Sequence, residues 1–102
     1  MSGAYVAVLV IHLHFPNGSD LKGKRKEISS LKAQLHGRLG AAVAEIDHQD
    51  TWQRATLAAA LTGGSLAPLT AAADRVERFV IDRYPDFAWV ERHVKSLADF
   101  ED

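Results

Sequence analysis

A chain of 102 residues makes one domain, with enough length for a core that needs no metal or disulfide staple. Hydrophobic residues at 47% and charged residues at 25% are ordinary for a soluble globular protein; twelve Lys+Arg against thirteen Asp+Glu leave a formal net charge of −1, so the global basic field of many nucleic-acid binders is missing. The lack of cysteine excludes disulfides, thiolate zinc sites and cysteine nucleophiles together, and with it a cytoplasmic location is expected.

Met1 to Phe15 is apolar, but it has no basic leading segment, is interrupted by His12 and His14, and is too short to span a bilayer. It reads as a strand over Tyr5 to Phe15, stopped by Pro16-Asn17-Gly18, and no membrane association is expected. Asp20 then caps a helix with an apolar stripe of Leu21, Ile28, Leu31, Leu35 and Leu39, whose end is marked by Gly37 and Gly40. Ala41 to His48 and Arg54 to Thr62 read as a hairpin around a polar segment. Val43 and Ile46 both look buried, which strict alternation forbids, so a bulge is expected near Ala44, leaving Glu45 ambiguous. Gly63-Gly64 ends the second hairpin strand, and Ser65 and Pro68 suit the start of a helix carrying Leu66, Leu69, Ala73, Val76 and Val80. Tyr84-Pro85 closes it, Phe87 to Leu97 is a last strand, and Phe100-Glu101-Asp102 is a short acidic tail.

The order β-α-β-β-α-β is that of an α+β ferredoxin-like sandwich. Right-handed crossovers give a four-stranded antiparallel sheet of order 4-1-3-2 with two helices on one face. Leu9, Ile11 and Leu13, with Ala55, Leu57, Ala59 and Leu61, then face the helices. Val6, Val8, Val10, His12 and His14, with Arg54, Thr56, Ala58 and Ala60, face the other way. A solvated face should be mostly polar, so this one is expected to meet another chain, with a homodimer as the leading partner.

Four stretches resemble the YlxP-like family of small bacterial proteins of unknown function: His12-Leu13-His14-Phe15-Pro16, Leu21-Lys22-Gly23-Lys24-Arg25-Lys26, the Ala44 to Ala55 block and Val90-Glu91-Arg92. The run Asp47-His48-Gln49-Asp50-Thr51-Trp52-Gln53-Arg54-Ala55 is the most specific part. The resemblance implies a ferredoxin-like fold. It also implies ribosome- or RNA-linked work, since members are often encoded beside translation initiation and ribosome-maturation factors. It carries no catalytic residues with it. Where the family tends to have Ser-Leu-Lys-Glu, this chain has Asp20-Leu21-Lys22-Gly23; a lone Asp cap replaces the capping box, and Gly23 weakens the first turn by ~1 kcal/mol.

In this topology the end of strand one, the start of helix one, the strand two–three turn and the start of strand four share one edge of the sheet. Two chemistries are expected there. In the first, Lys22, Lys24, Arg25 and Lys26 at a helix start bind phosphate of ribosomal or other RNA, Arg54 makes a forked contact, and Trp52, with Trp89, stacks on an unpaired base. Asp47, His48, Asp50 and Gln53 position the turn. RNA-recognition motifs stack bases at the centres of strands one and three, where this chain has Val and Ala, so that mode is not expected. In the second, His12 and His14 project to the same side and, with His48 and Asp50, form a metal site, or Asp47 orients His48 as a general base of a hydrolase. Glu91 and His93 are expected to lie away from this edge. Gly63-Gly64-Ser65 lacks the Lys and Ser/Thr of a phosphate loop, and no cofactor is expected.

Overall fold

The computed structural model describes residues 3–16 and 20–101; the expected stop at Asn17-Gly18 and the last residue of the acidic tail lie outside them. Strand β1 (Tyr5–His14) is followed by helix α1 (Leu21–Leu39), the hairpin β2 (Ala42–Asp47) and β3 (Arg54–Gly63), helix α2 (Leu66–Arg83) and strand β4 (Ala88–Ser96). A 3₁₀ turn over Leu97–Phe100 occupies what reads in the sequence as the end of the last strand and the start of the tail. The sheet runs β2-β3-β1-β4, which is the expected order read from its other edge, and every neighbouring pair is antiparallel. This is the α+β ferredoxin-like sandwich.

The helix-facing layer is Ala7, Leu9, Ile11 and Leu13 on β1 and Ala55, Leu57, Ala59 and Leu61 on β3, all buried. Ile28, Leu31 and Leu35 of α1 and Leu69, Ala73, Val76 and Val80 of α2 close over it. Burying these side chains is the main stabilising term, at ~1.5–3 kcal/mol for each large one. Leu66, expected in the α2 stripe, is half exposed at the first turn.

The helix ends follow their chemistry. Asp20 accepts a hydrogen bond from the Gly23 N–H at 2.7 Å, satisfying one orphan donor of α1. The helix runs through Gly37 and stops at Gly40. Gly40 adopts φ 72°, and the N–H groups of Gly40 and Ala41 return to His36 O and Leu35 O at 3.1 Å each. Ser65 sits at the α2 cap position, but its side chain makes no capping bond. Arg92 on β4 forks onto Asp74 (2.9 Å) and Glu77 (3.1 Å) of α2, tying the edge strand to the helix above it.

The expected bulge is present but falls between Glu45 and Asp47, one to two residues later than expected near Ala44. It corrects the assignment of Ile46 to the core. Val43 and Glu45 point to the helix side, while Ile46, at the bulge, is half exposed.

Candidate functional site

Asp47 ends β2, and the chain reverses through residues 48–53 before Arg54 opens β3. His48 adopts φ 63°, a left-handed conformation that costs a residue with a Cβ and needs support. Asp47 Oδ1 accepts from the His48 N–H at 2.8 Å, and Thr51 N–H donates to His48 O at 3.1 Å. Asp47 thus holds the first N–H of the turn. Among the described residues, no side-chain hydrogen bond or ion pair joins Asp50 to Arg54 or to anything else.

The main support comes from below, and it corrects the expected role of Lys24. That side chain is 2% exposed and points inward, toward the sheet. Its ammonium donates to His48 O and, at 2.8 Å, to Thr51 O, and lies 3.1 Å from Glu45 Oε2. Glu45 Oε2 is buried and lacks a directed hydrogen bond, so this last contact is an ion pair and not a well-aligned bond. Buried and held by two carbonyls and a carboxylate, the Lys24 ammonium is directed to the turn and not to a phosphate at the helix start. Helix geometry explains the split of the basic run. Lys24 lies in line with Ile28, Leu31 and Leu35, whereas Lys22 and Lys26, about 160° away at 100° per residue, project to solvent on the far side. Arg25 is also exposed. Lys22, Arg25 and Lys26, spaced i, i+3 and i+4, share one exposed face, and Lys24 alone is turned away from it.

The groups at the edge fall into two hollows separated by His14 and Phe87, which line both. The hollow on the outer sheet face, about 550 Å³, is lined by His12, His14, His48, Arg54, Thr56, Asp86 and Trp89. Register explains the grouping: His12 pairs with Thr56 and Trp89, and His14 pairs with Arg54. The Trp89 ring, 61% exposed, stacks on His12 with centroids 4.5 Å apart. Arg54 is exposed, and no carboxylate pairs with it among the described residues. Thr56, read from the sequence as facing outward, does so, but it is walled in by His12 on one side and Asp47 on the other and is buried.

The second hollow, about 390 Å³, opens on the helix side between Phe15, Pro16, Trp52, Tyr84 and Phe87. Trp52 thus belongs with Phe15 and Tyr84, not with Arg54. Along its wall Glu27 accepts from the Tyr84 hydroxyl at 2.7 Å and from Arg83 Nε at 3.1 Å, joining α1 to the end of α2. These bonds, Tyr84 first and Arg83 second, hold the Glu27 carboxyl below the ordinary carboxylate range; burial, with Glu27 adding to it, pushes the Tyr84 phenol up. A depressed carboxyl stabilises the fold above its unfolded value and loses that contribution as pH falls through the lower folded value. Thermal unfolding followed between pH 6 and 2.5 should therefore show an acid loss that is shallower in Glu27→Gln. Because Glu27 is 38% exposed, the difference is expected to be small.

Glu91 was expected to stand apart and does not: its Oε1 lies 3.0 Å from His12 Nε2, and its Oε2 lies 3.6 Å from His93 Nε2. The clue was alternation on the last strand, which puts Glu91 on the face of Trp89. The register that sets both beside His12 was not in the sequence. The alternative metal set of His12, His14, His48 and Asp50 does not assemble. Among the described residues no three His, Asp or Glu side chains are close enough to hold one ion, and His12 Nε2 is engaged by Glu91. No helix among the described residues is long and apolar enough to cross a membrane.

The fold and this edge define a small ferredoxin-like domain with a polar, aromatic-lined hollow at one end of its sheet. The chain belongs to the family described as protein of unknown function (DUF503), which matches residues 6–94. No curated protein matches it. Among solved structures it is similar to the de novo designed protein Foldit4, with a TM-score of 0.54 over 91% of this chain and 94% of that one. At 10% identity the likeness is one of fold alone.

Proposed function

We propose that this chain is a YlxP-like, non-enzymatic cytoplasmic factor that binds single-stranded RNA of the ribosome through the hollow on its outer sheet face. The observation that carries the reading is Arg54. It is an exposed guanidinium without a carboxylate partner among the described residues, set in the same hollow as three imidazoles and the face of Trp89. A phosphate fits the fork of Arg54 with His14 or His48 as further donors, and an unpaired base has Trp89 to stack on. Asp86, the acidic side chain on the rim, favours a base edge over a second phosphate at that end. This differs from base stacking at the centre of a sheet: the aromatic surface comes from β4, beside the end of β1. Lys24 supports the turn from beneath and touches no RNA, while Lys22 and Lys26 lie outside the hollow. The family resemblance supplies the link to translation and ribosome maturation.

The test is tryptophan fluorescence during titration with a short unstructured oligoribonucleotide at low salt. Saturable quenching that shrinks in Trp89→Leu and persists in Trp52→Leu supports the proposal; no quenching, or quenching that depends on Trp52 alone, sinks it. One observation favours a second reading, a His-based hydrolytic site: Glu91 orients the His12 imidazole as a carboxylate would orient a general base. Mass analysis of the same oligonucleotide after incubation separates the two, since only hydrolysis shortens it.

A further inference from the structure

The outer sheet face has two unlike halves. On β2 and β3 it is small and flat: Ala42 pairs with Ala60, and Ala44 with Ala58. On β1 and β4 it is tall: Val8 pairs with His93, Val10 with Glu91, and His12 with Trp89. At about 4.8 Å between strands and 3.3 Å per residue, four strands up to ten residues long offer about 600 Å² per copy, so two such faces bury about 1,200 Å², the lower limit of a stable interface.

We infer that the face is covered by a second copy of this chain, packed face to face about a two-fold axis that runs along the strands between β1 and β3. That axis alone, among the in-plane choices, lays the tall β1–β4 half of one copy on the flat β2–β3 half of the other, so that relief matches relief. An axis across the strands would set β1 on β1 and β4 on β4, tall half on tall half, and leave the Ala halves facing each other across a gap. Glu91 stands beside His12 and His93 where it meets Ala44 of the partner subunit, and Lys95, level with Val6, falls past the end of the partner's β2 at the rim of the interface. Because this axis keeps strand ends level, it lays Arg54 over the partner's β1 and Trp89 over the end of the partner's β2, so a second copy and RNA compete for the hollow. That consequence rests on the RNA reading; the dimer does not.

Sedimentation equilibrium of the RNA-free protein tests it. The native chain should have twice the monomer mass at tens of micromolar, and Ala58→Arg, verified as folded by circular dichroism, should be monomeric. A monomeric native chain, or a folded Ala58→Arg dimer, overturns the proposal. If Ala58→Arg does not fold, Val10→Lys takes its place. The axis is read from a chain that has no native cysteine. With a short bismaleimide, Glu91→Cys mixed with Ala44→Cys should cross-link while neither does so alone. Glu91→Cys linking to itself would overturn the axis. RNA binding by a protein that is monomeric without RNA would refute the dimer and leave the RNA reading standing, and a dimer whose protein binds no RNA even when diluted to monomer would do the reverse.

Discussion

Lys24→Met should lower the free energy of unfolding by about 3 kcal/mol, one of the largest single effects outside the apolar core. The methionine keeps the stem and loses three interactions at once. The carbonyls of His48 and Thr51 lose their donor, at about 1 kcal/mol each, and the Glu45 carboxylate is left in a site where its Oε2 is shielded from water. Its remaining 21% exposure keeps the expectation at the lower end of the range for a broken buried pair. Pairing Lys24→Met with Glu45→Gln should recover part of the loss, because the second change removes the stranded charge. The double mutant should therefore be more stable than the sum of the two singles predicts. Denaturant unfolding of the four proteins gives the coupling directly; additive effects would mean that the ion pair contributes nothing and that Lys24 acts through the carbonyls alone. Arg25→Glu one residue away is exposed and should change stability by no more than about 0.5 kcal/mol. Neighbouring cations of one basic run thus have opposite assignments, one structural and one solvated.

That contrast marks where the sequence was legible. Element order and the two helix-facing layers follow from periodicity, since burying one face of β1 and β3 forces alternation, and strand order follows from the right-handed crossovers. The stripe of α1 was legible too, and extending it one turn back from Ile28 reaches Lys24; composition made that residue look like part of a surface cluster, but spacing puts it on the core face. The bulge was signalled by the conflict between Val43 and Ile46, and its exact place was not, because either residue can be the one expelled. Glu91 and Asp86 escaped notice for a different reason. Joining the site depends on β1–β4 register and on the α2–β4 connection, and neither leaves a local signal. The grouping of Trp52 with Arg54 failed on the same ground: neighbours in a turn diverged to opposite sides of the wall formed by His14 and Phe87.

Arg54→Gln is the change that separates a hollow-centred contact from a basic helix. If phosphate sits in the fork of Arg54, the substitution removes one charge-assisted contact and should weaken oligoribonucleotide binding by about 10-fold, or about 1.4 kcal/mol. Losing one phosphate contact should also make the slope of log K against log salt shallower by about 0.7, the value per contact on a single strand. Stability should hardly move, since the side chain is exposed and has no ion-pair partner among the described residues. Lys22→Gln with Lys26→Gln removes two charges from the solvent side of α1 and should leave both the affinity and the slope within error. Fluorescence titrations at three salt concentrations measure all of this on folded proteins. The opposite pattern, with Arg54 silent and the lysine pair costing both affinity and about 1.4 of slope, would move the contact to the helix. The hollow, with its Glu91-oriented His12, would then be left to the hydrolytic reading.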